Sequence, residues 1–248
     1  MKYPDKADIA ELLLNKSGIF APPVKLAEIV KNWDSLQVTF DEIDGDAYLV
    51  DLGILGNNIL IRKNANPERQ RFSLAHELGH IILKESGLPS LESTVKSRKS
   101  ISERWCNEFA SELLMPSGWI DRDVVGTKID NIFTLCHKLA EKYQVSFEAM
   151  VIRISEITPV NIARLVFKNA NTKVIYNKSK ISPIDFDKYK FKILPEIKRC
   201  SLANGLFLDK NLYCFLHVQE IKHDEQKWFC FLTNTDESLT IGGRWSAR

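Results

Sequence analysis

Long apolar runs are missing: no stretch of this 248-residue sequence reaches the roughly 18 consecutive apolar residues of a membrane-spanning helix. No membrane partner is therefore expected. Glycine and proline are scarce, at 11 and 9 residues, which excludes a collagen-like or low-complexity chain. There are only five cysteines, an odd number with no CxxC-type spacing. Scattered single thiols exclude a disulfide framework or a zinc ribbon and fit a reducing interior. The opening residues, Met1-Lys2-Tyr3-Pro4-Asp5-Lys6, lead into a mixed helix without the apolar core of a secretory signal. These absences together predict a cytoplasmic protein. A dominant charge is lacking too: 34 basic against 32 acidic residues leave +2, too little for a field that would mark the whole chain as a nucleic-acid binder. No internal repeat is visible.

What is present is the composition of a folded globular chain, 44% hydrophobic and 10% aromatic. The length suits one or two domains. Charge divides unevenly, with 14 Lys/Arg against 9 Asp/Glu in residues 168–248 and 20 against 23 in residues 1–167. Hydrophobic spacing predicts a helix from Ala7 to Asn15 and, after Ala21-Pro22-Pro23, a second over Val24 to Trp33. Short β-type runs follow at Gln37–Phe40, Ala47–Leu52 and Asn58–Ile61, the last two joined by Gly56-Asn57 as a hairpin. Asn66-Pro67 is an N-cap followed by proline at the first helical position, so a helix starts there and stops near Gly87-Leu88-Pro89. Ser90 to Ser102 is rich in Ser and Lys and is expected to be a surface loop. Helices are expected again over Glu103–Met115, Asn131–Tyr143 and Phe147–Ile157. Beyond Ala163 the pattern turns to β-type runs at Lys188–Leu194, Leu212–Ile221, Lys227–Thr233 and Leu239–Ile241.

The strongest chemical signal is His76-Glu77-Leu78-Gly79-His80. Its chance occurrence is below about 1% per chain, and it falls inside a helix capped independently of it. Histidines four apart lie one turn apart on one face, so both imidazoles can reach one ion. Glu77, at the edge of that face, can touch an ion-bound water and act as general base without ligating the metal. Zinc is the expected occupant, and a working site needs a third protein ligand and an open position. His137, His217 and His223 lie far downstream without local support. Glu103 is favoured, because Asn107 stands four residues on along the same face and can receive a histidine N–H. Glu108 and Glu112 are competitors in the same helix.

Two segments carry a resemblance. Arg69-Gln70-Arg71-Phe72-Ser73-Leu74-Ala75-His76-Glu77-Leu78-Gly79-His80, followed by the run from Glu103 through Asn107 and Phe109 to Leu113-Leu114-Met115-Pro116, resembles the ImmA/IrrE family of metallopeptidases. That family pairs an RqRFtlAHElGH helix with an ExxAN-x-FAxxLLMP helix, and the likeness extends roughly from Ala21 through Phe167. The resemblance implies zinc (Zn2+) held by His76, His80 and Glu103, with Glu77 catalytic and Asn107 supporting. Cys106 departs from the alanine usual there. The resemblance also implies a substrate: a partner helix-turn-helix repressor, cut so as to induce stress or mobile-element genes. Ser90–Ser102, between the ligand-bearing helices, is a candidate gate. Asn58–Arg62 is a candidate edge strand for the substrate to pair with. Tyr143, Tyr48 and Arg71 are candidate donors to the oxyanion.

The expected fold class is α+β: a zincin-like, helix-rich metallopeptidase domain over 1–125, a helical, helix-turn-helix-like segment over 126–167, and a β-rich C-terminal domain over 168–248. Leu139 to Ser146 with helix Phe147–Ile157 is similar to part of a helix-turn-helix, although Arg153 is the one basic residue its second helix offers. Lys168 to Arg199 holds nine basic and three acidic residues among aromatics, a pattern usual for the solvated face of strands. The alternative function is therefore a non-catalytic regulator binding DNA or a partner through these segments, with direct DNA contact the lesser expectation.

Overall fold

The computed structural model describes residues 3–88, 101–127, 132 and 134–158, and the backbone of 96–100, 133, 161–168, 171–175, 206–209, 212–221 and 225–234. The chain divides into two compact units, residues 1–120 with 138–150, and residues 121–137 with 151–248. The first is helix-rich with one small sheet, a mixed α+β arrangement. Among the described residues no helix is long and apolar enough to cross a membrane.

The first unit begins with α1 (Lys6–Lys16), capped by Asp5, whose carboxylate accepts from the Ala7 amide at 2.8 Å. Its Ala10, Leu13 and Leu14 are buried. Helix α2 spans only Leu26–Val30, shorter than the apolar pattern predicts. Lys25 gives it no side-chain cap, and the Asn32 amide donates to the Ile29 carbonyl at 2.8 Å, drawing the backbone out of the helical ladder. Strands β1 (Leu36–Asp41), β2 (Ala47–Asp51) and β3 (Asn57–Arg62) form a sheet in the order β1-β3-β2, with a short 3-10 turn at Gly53–Leu55 between β2 and β3. β3 runs parallel to β1 and antiparallel to β2. It is thus the central strand, which corrects the expectation that Asn58–Arg62 is an edge. Its Ile59 and Ile61 are buried, and their cross-strand partners Leu49 and Ala47 share that face.

Helix α3 (Pro67–Glu85) starts as the sequence predicts, the Asn66 carboxamide accepting from the Arg69 amide at 3.0 Å. Asp46 ties its first turn to β3, receiving both Arg69 and Arg62. Residues from Ser73 to Leu83 are buried almost continuously, because the sheet covers one side of α3 and α4 (Lys96–Leu114) another. At Gly79 the two helices nearly touch: a Cβ there would stand 3.2 Å from Cys106 Cβ and Sγ and from Phe109 Cδ1. Glycine at this position therefore sets the close approach that the site needs. Helix α4 begins at Lys96, so 96–102 are helical rather than loop, while the rest of the expected loop and gate, residues 90–95, lies outside the described residues. Ser102 is already wholly buried, and Trp105 stacks on Phe109 and donates to the Pro4 carbonyl at 3.0 Å.

Helices α5 (Ser117–Val124), α6 (Ile132–Tyr143) and α7 (Phe147–Ile157) follow, the last two near their predicted bounds. In the second unit β4 (Asn161–Lys168), β5 (Asn171–Ile175), β6 (Leu206–Asp209), β7 (Leu212–Ile221) and β8 (Glu225–Asn234) pair antiparallel in the order β5-β4-β8-β7-β6. The predicted runs Lys188–Leu194 and Leu239–Ile241, and most of the basic stretch Lys168–Arg199, lie outside the described residues.

Candidate metal centre

Helix periodicity stacks His76 above His80 on the side of α3 that meets α4, and their rings lie edge to face with centroids 4.9 Å apart. Across the contact that Gly79 permits, α4 brings up Glu103 and, one turn later, Asn107. The three gaps at the convergence are 3.1 Å from His76 Nε2 to His80 Nε2, 3.3 Å from His76 Nε2 to Glu103 Oε2, and 3.6 Å from His80 Nε2 to Glu103 Oε1. Among the described residues, these three side chains form a group able to hold a metal ion, with one donor atom from each within 4.8 Å of the others. A tetrahedral ion with bonds of ~2.0–2.1 Å separates its ligand atoms by about 3.3 Å. The observed gaps bracket that spacing.

Protonation agrees with a cation at this point. His76 Nδ1–H donates to the Asn107 carbonyl oxygen at 3.0 Å, which leaves the lone pair on Nε2. Burial pushes the His76 pKa down against the opposing pull of Glu103 and Asn107, so the neutral ring is favoured. A lone pair and a carboxylate facing one another repel unless a positive charge sits between them. The chemistry of the donor set, two imidazole nitrogens and a carboxylate, suits a divalent ion of zinc's kind.

Glu77 is buried beside this group, and its Oε2 has no hydrogen-bond partner. Burial, then the negative charge of Glu103, raises its pKa to about 7, while the Leu49 backbone N–H acts the other way by donating to the carboxylate. Leu49 was not a sequence candidate, and as a main-chain donor it leaves no mark in side-chain chemistry. Its orientation follows from the ladder. The Arg62 amide donates to the Asp46 carbonyl at 3.0 Å and the Leu52 amide to the Gly56 carbonyl at 2.8 Å, one at each end of β2. Alternation then turns the backbone groups of Tyr48 and Val50 toward β3, and those of Ala47, Leu49 and Asp51 toward the free edge. The free edge of β2 therefore faces Glu77.

The competing candidates are engaged elsewhere. Glu108 pairs with Lys6 at 2.8 Å and Arg104 at 2.7 Å, and Glu112 accepts from the Ser117 amide and hydroxyl at the start of α5. His223, and the side chain of His217, lie outside the described residues. Cys106 is wholly buried, and burial followed by the charges of Glu103 and Glu77 pushes its thiol pKa up, so it packs against Gly79 as a neutral group. Arg71 donates to the Gln144 and Val24 carbonyls at 3.1 and 2.9 Å. Tyr48 lies on the sheet face opposite Ile59 and Ile61, its hydroxyl over Gly45, and Tyr143 is wholly buried. In α7, Arg153 is only 6% exposed and pairs with Glu156, so it is withdrawn from any DNA phosphate.

If Asn107 fixes the His76 tautomer, Asn107→Ala is expected to weaken metal binding by ~10–100-fold with the fold retained. Asn107→Asp, which keeps the acceptor, is expected to retain most of the affinity. A competition titration against a chromogenic chelator reads both, and equal affinity for wild type and Asn107→Ala would remove the supporting role.

Residues 35–155 match the family model described as the IrrE N-terminal-like domain. Over 113 residues, 43% of this chain, the sequence is 33% identical to the radiation response metalloprotease IrrE of Deinococcus radiodurans. Over 104 residues, 40% of this chain, it is 34% identical to the protein of the same name from Deinococcus deserti. These matches cover 33% and 36% of the relatives, so the chain spans about a third of their length. A Mycobacterium tuberculosis transcriptional regulator shares the fold, with a TM-score of 0.64 over 99% of this chain and 94% of that one at 12% identity. The segment that contains both site helices, residues 35–155, is thus similar in sequence to the ImmA/IrrE family.

Proposed function

We propose that the protein is a zinc-dependent endopeptidase that cuts one peptide bond in a partner protein, a helix-turn-helix transcriptional repressor, and so induces stress or mobile-element genes in the cytoplasm. One observation carries the reading: His76, His80 and Glu103 converge within ion-binding distance beside the unpartnered carboxylate oxygen of Glu77. Zinc held by those three side chains would polarise the scissile carbonyl and lower the pKa of a water molecule from 15.7 to about 7. Glu77 is the general base. It takes a proton from the attacking water and passes it to the leaving amine. The Leu49 N–H steadies its carboxylate from the strand side, and Asn107 holds His76 in the ligating tautomer. The open backbone groups of Ala47 and Asp51 offer an extended substrate a strand to pair with, so β2 takes the role expected of β3. In this reading residues 1–125 are a zincin-like catalytic unit, 126–167 a helix-turn-helix-like connector and 168–248 a β-rich domain.

Support for peptidase chemistry comes from the site geometry and from two relatives named as metalloproteases. The test is incubation of the zinc-loaded protein with a helix-turn-helix repressor encoded beside it, with and without a chelator, followed by gel and mass analysis. A single pair of fragments that vanishes with chelator is expected. An intact repressor in every lane would overturn the substrate, and cutting insensitive to the chelator would overturn the role of the metal.

A further inference from the structure

Beyond Asp51 the free edge of β2 runs directly into three apolar side chains that the protein does not cover. Leu52 is 41% exposed, Leu55 72% and Ile54 103%. Exposed apolar residues scattered singly are ordinary; three within four positions of one turn form a patch. The turn is also firmly built. The Asp51 carboxylate accepts from the Gly53 amide at 2.9 Å and is held by Lys84 of α3. The Leu55 and Gly56 amides donate to the Leu52 and Gly53 carbonyls at 3.3 and 3.1 Å. At Gly56 φ is +93°, and a Cβ would collide with the Ser35 carbonyl, so glycine is required there. An ordered turn that displays apolar side chains to water is preorganised to bind, because little conformational freedom remains to be lost.

Its position says what it meets. Leu49 stands level with Glu77, and Leu52 follows three residues along the chain, about 10 Å further at ~3.3 Å per residue. A substrate strand added to the β2 edge would pair antiparallel, the more stable and commoner arrangement. Its amino-terminal side then passes the turn. Resting on the peptidase reading above, we propose that Leu52, Ile54 and Leu55 form a specificity site. It takes an apolar side chain of the protein substrate, three to five residues on the amino-terminal side of the bond that is cut.

The test uses the full zinc-loaded chain and a library of peptides made by digesting a bacterial proteome, with cut positions read by mass spectrometry. Wild type is expected to enrich Leu, Ile, Val, Met or Phe three to five positions before the cut, and not at the same distance after it. The double variant Ile54→Asp/Leu55→Asp, altered only at exposed positions, should lose that enrichment. On a peptide chosen from the wild-type set its KM should rise about tenfold, the scale of one apolar contact, with kcat held within about twofold. Ile54→Val/Leu55→Ile should restore the wild-type pattern. Cleavage by wild type without enrichment, enrichment on the other side of the cut, or an unchanged profile in the aspartate variant would each overturn the specificity site while leaving the peptidase reading intact. Absence of cleavage of both the library and the repressor by the zinc-loaded wild type would instead sink the peptidase reading, and this site with it; a repressor cut without an apolar residue three to five positions before the cut would overturn the specificity site alone.

Discussion

Glu77→Gln is expected to abolish the proposed peptide cleavage, by ~10²–10⁴-fold if only general-base catalysis is lost, while the protein still binds its metal. Glutamine matches glutamate in shape and can still accept the Leu49 N–H through its carbonyl oxygen, but it cannot take a proton from water. The metal is assigned to His76, His80 and Glu103, none of which the substitution touches. Parallel measurement of fragment yield and metal content separates the two functions. A variant that cuts at the parental rate would refute the base, and a variant emptied of metal would show that Glu77 belongs to the ligand set.

The same substitution should have an opposite effect on the stability of the metal-stripped protein. Folding raises the Glu77 pKa from an ordinary 4.5 to about 7, chiefly by burial. The folded state therefore holds this proton more tightly than the unfolded state does, and that contribution is complete below pH 4.5. It is lost progressively as pH rises through 7, a change on the order of 3 kcal/mol for a shift of this size. Glutamine carries no such charge. Chelator-treated Glu77→Gln should melt above chelator-treated wild type at pH 8, with the difference closing toward pH 4.5. Melting curves that stay parallel across this range would mean that the folded protein compensates the charge of the buried carboxylate and leaves its pKa near 4.5. A group kept for catalysis at the expense of stability is common at active sites.

How legible the site was depended on how local each feature is. The start of α3 and the stacking of His76 on His80 follow from neighbours within one or two turns, and the Asn66 cap and the helical repeat stand in the sequence as they do in the structure. Strand order does not have that property. Asn58–Arg62 looks like any half-buried strand, and it becomes central only because β1 returns to lie parallel beside it, a pairing between residues about 20 apart. The Ser- and Lys-rich run before Glu103 has a loop's composition, yet residues 96–102 are helical, continuous with a segment pinned by Trp105 to Pro4. Leu49 was invisible for a different reason: the contribution is an amide that every residue but proline owns, and only the parity of the β2–β3 ladder aims it at Glu77.

The choice among the three acids of α4 is the sharpest case, and it yields the second large prediction. Glu103 and Glu108 differ by five residues, about 140° around the helix, so only one of them can face α3. The sequence favours Glu103 through Asn107. The structure adds that Glu108 is held by Lys6, a residue about a hundred positions away on α1, and that Glu112 caps the next helix. Glu103→Ala is therefore expected to lose zinc by more than the ~10–100-fold that a supporting residue costs, leaving a protein that a metal assay finds largely empty. Two histidines alone leave the ion short of the three protein ligands that catalytic zinc sites use. Glu108→Ala should keep its metal and lose little stability, because a partly exposed ion pair is worth about 0–1 kcal/mol. Glu112→Ala should also keep its metal, although it gives up the cap on α5. Cleavage should follow metal content across the three variants. Zinc retained at wild-type affinity by Glu103→Ala, and lost from Glu108→Ala, would reverse the assignment: the face of α4 that meets the histidines in solution would then be the one carrying Glu108.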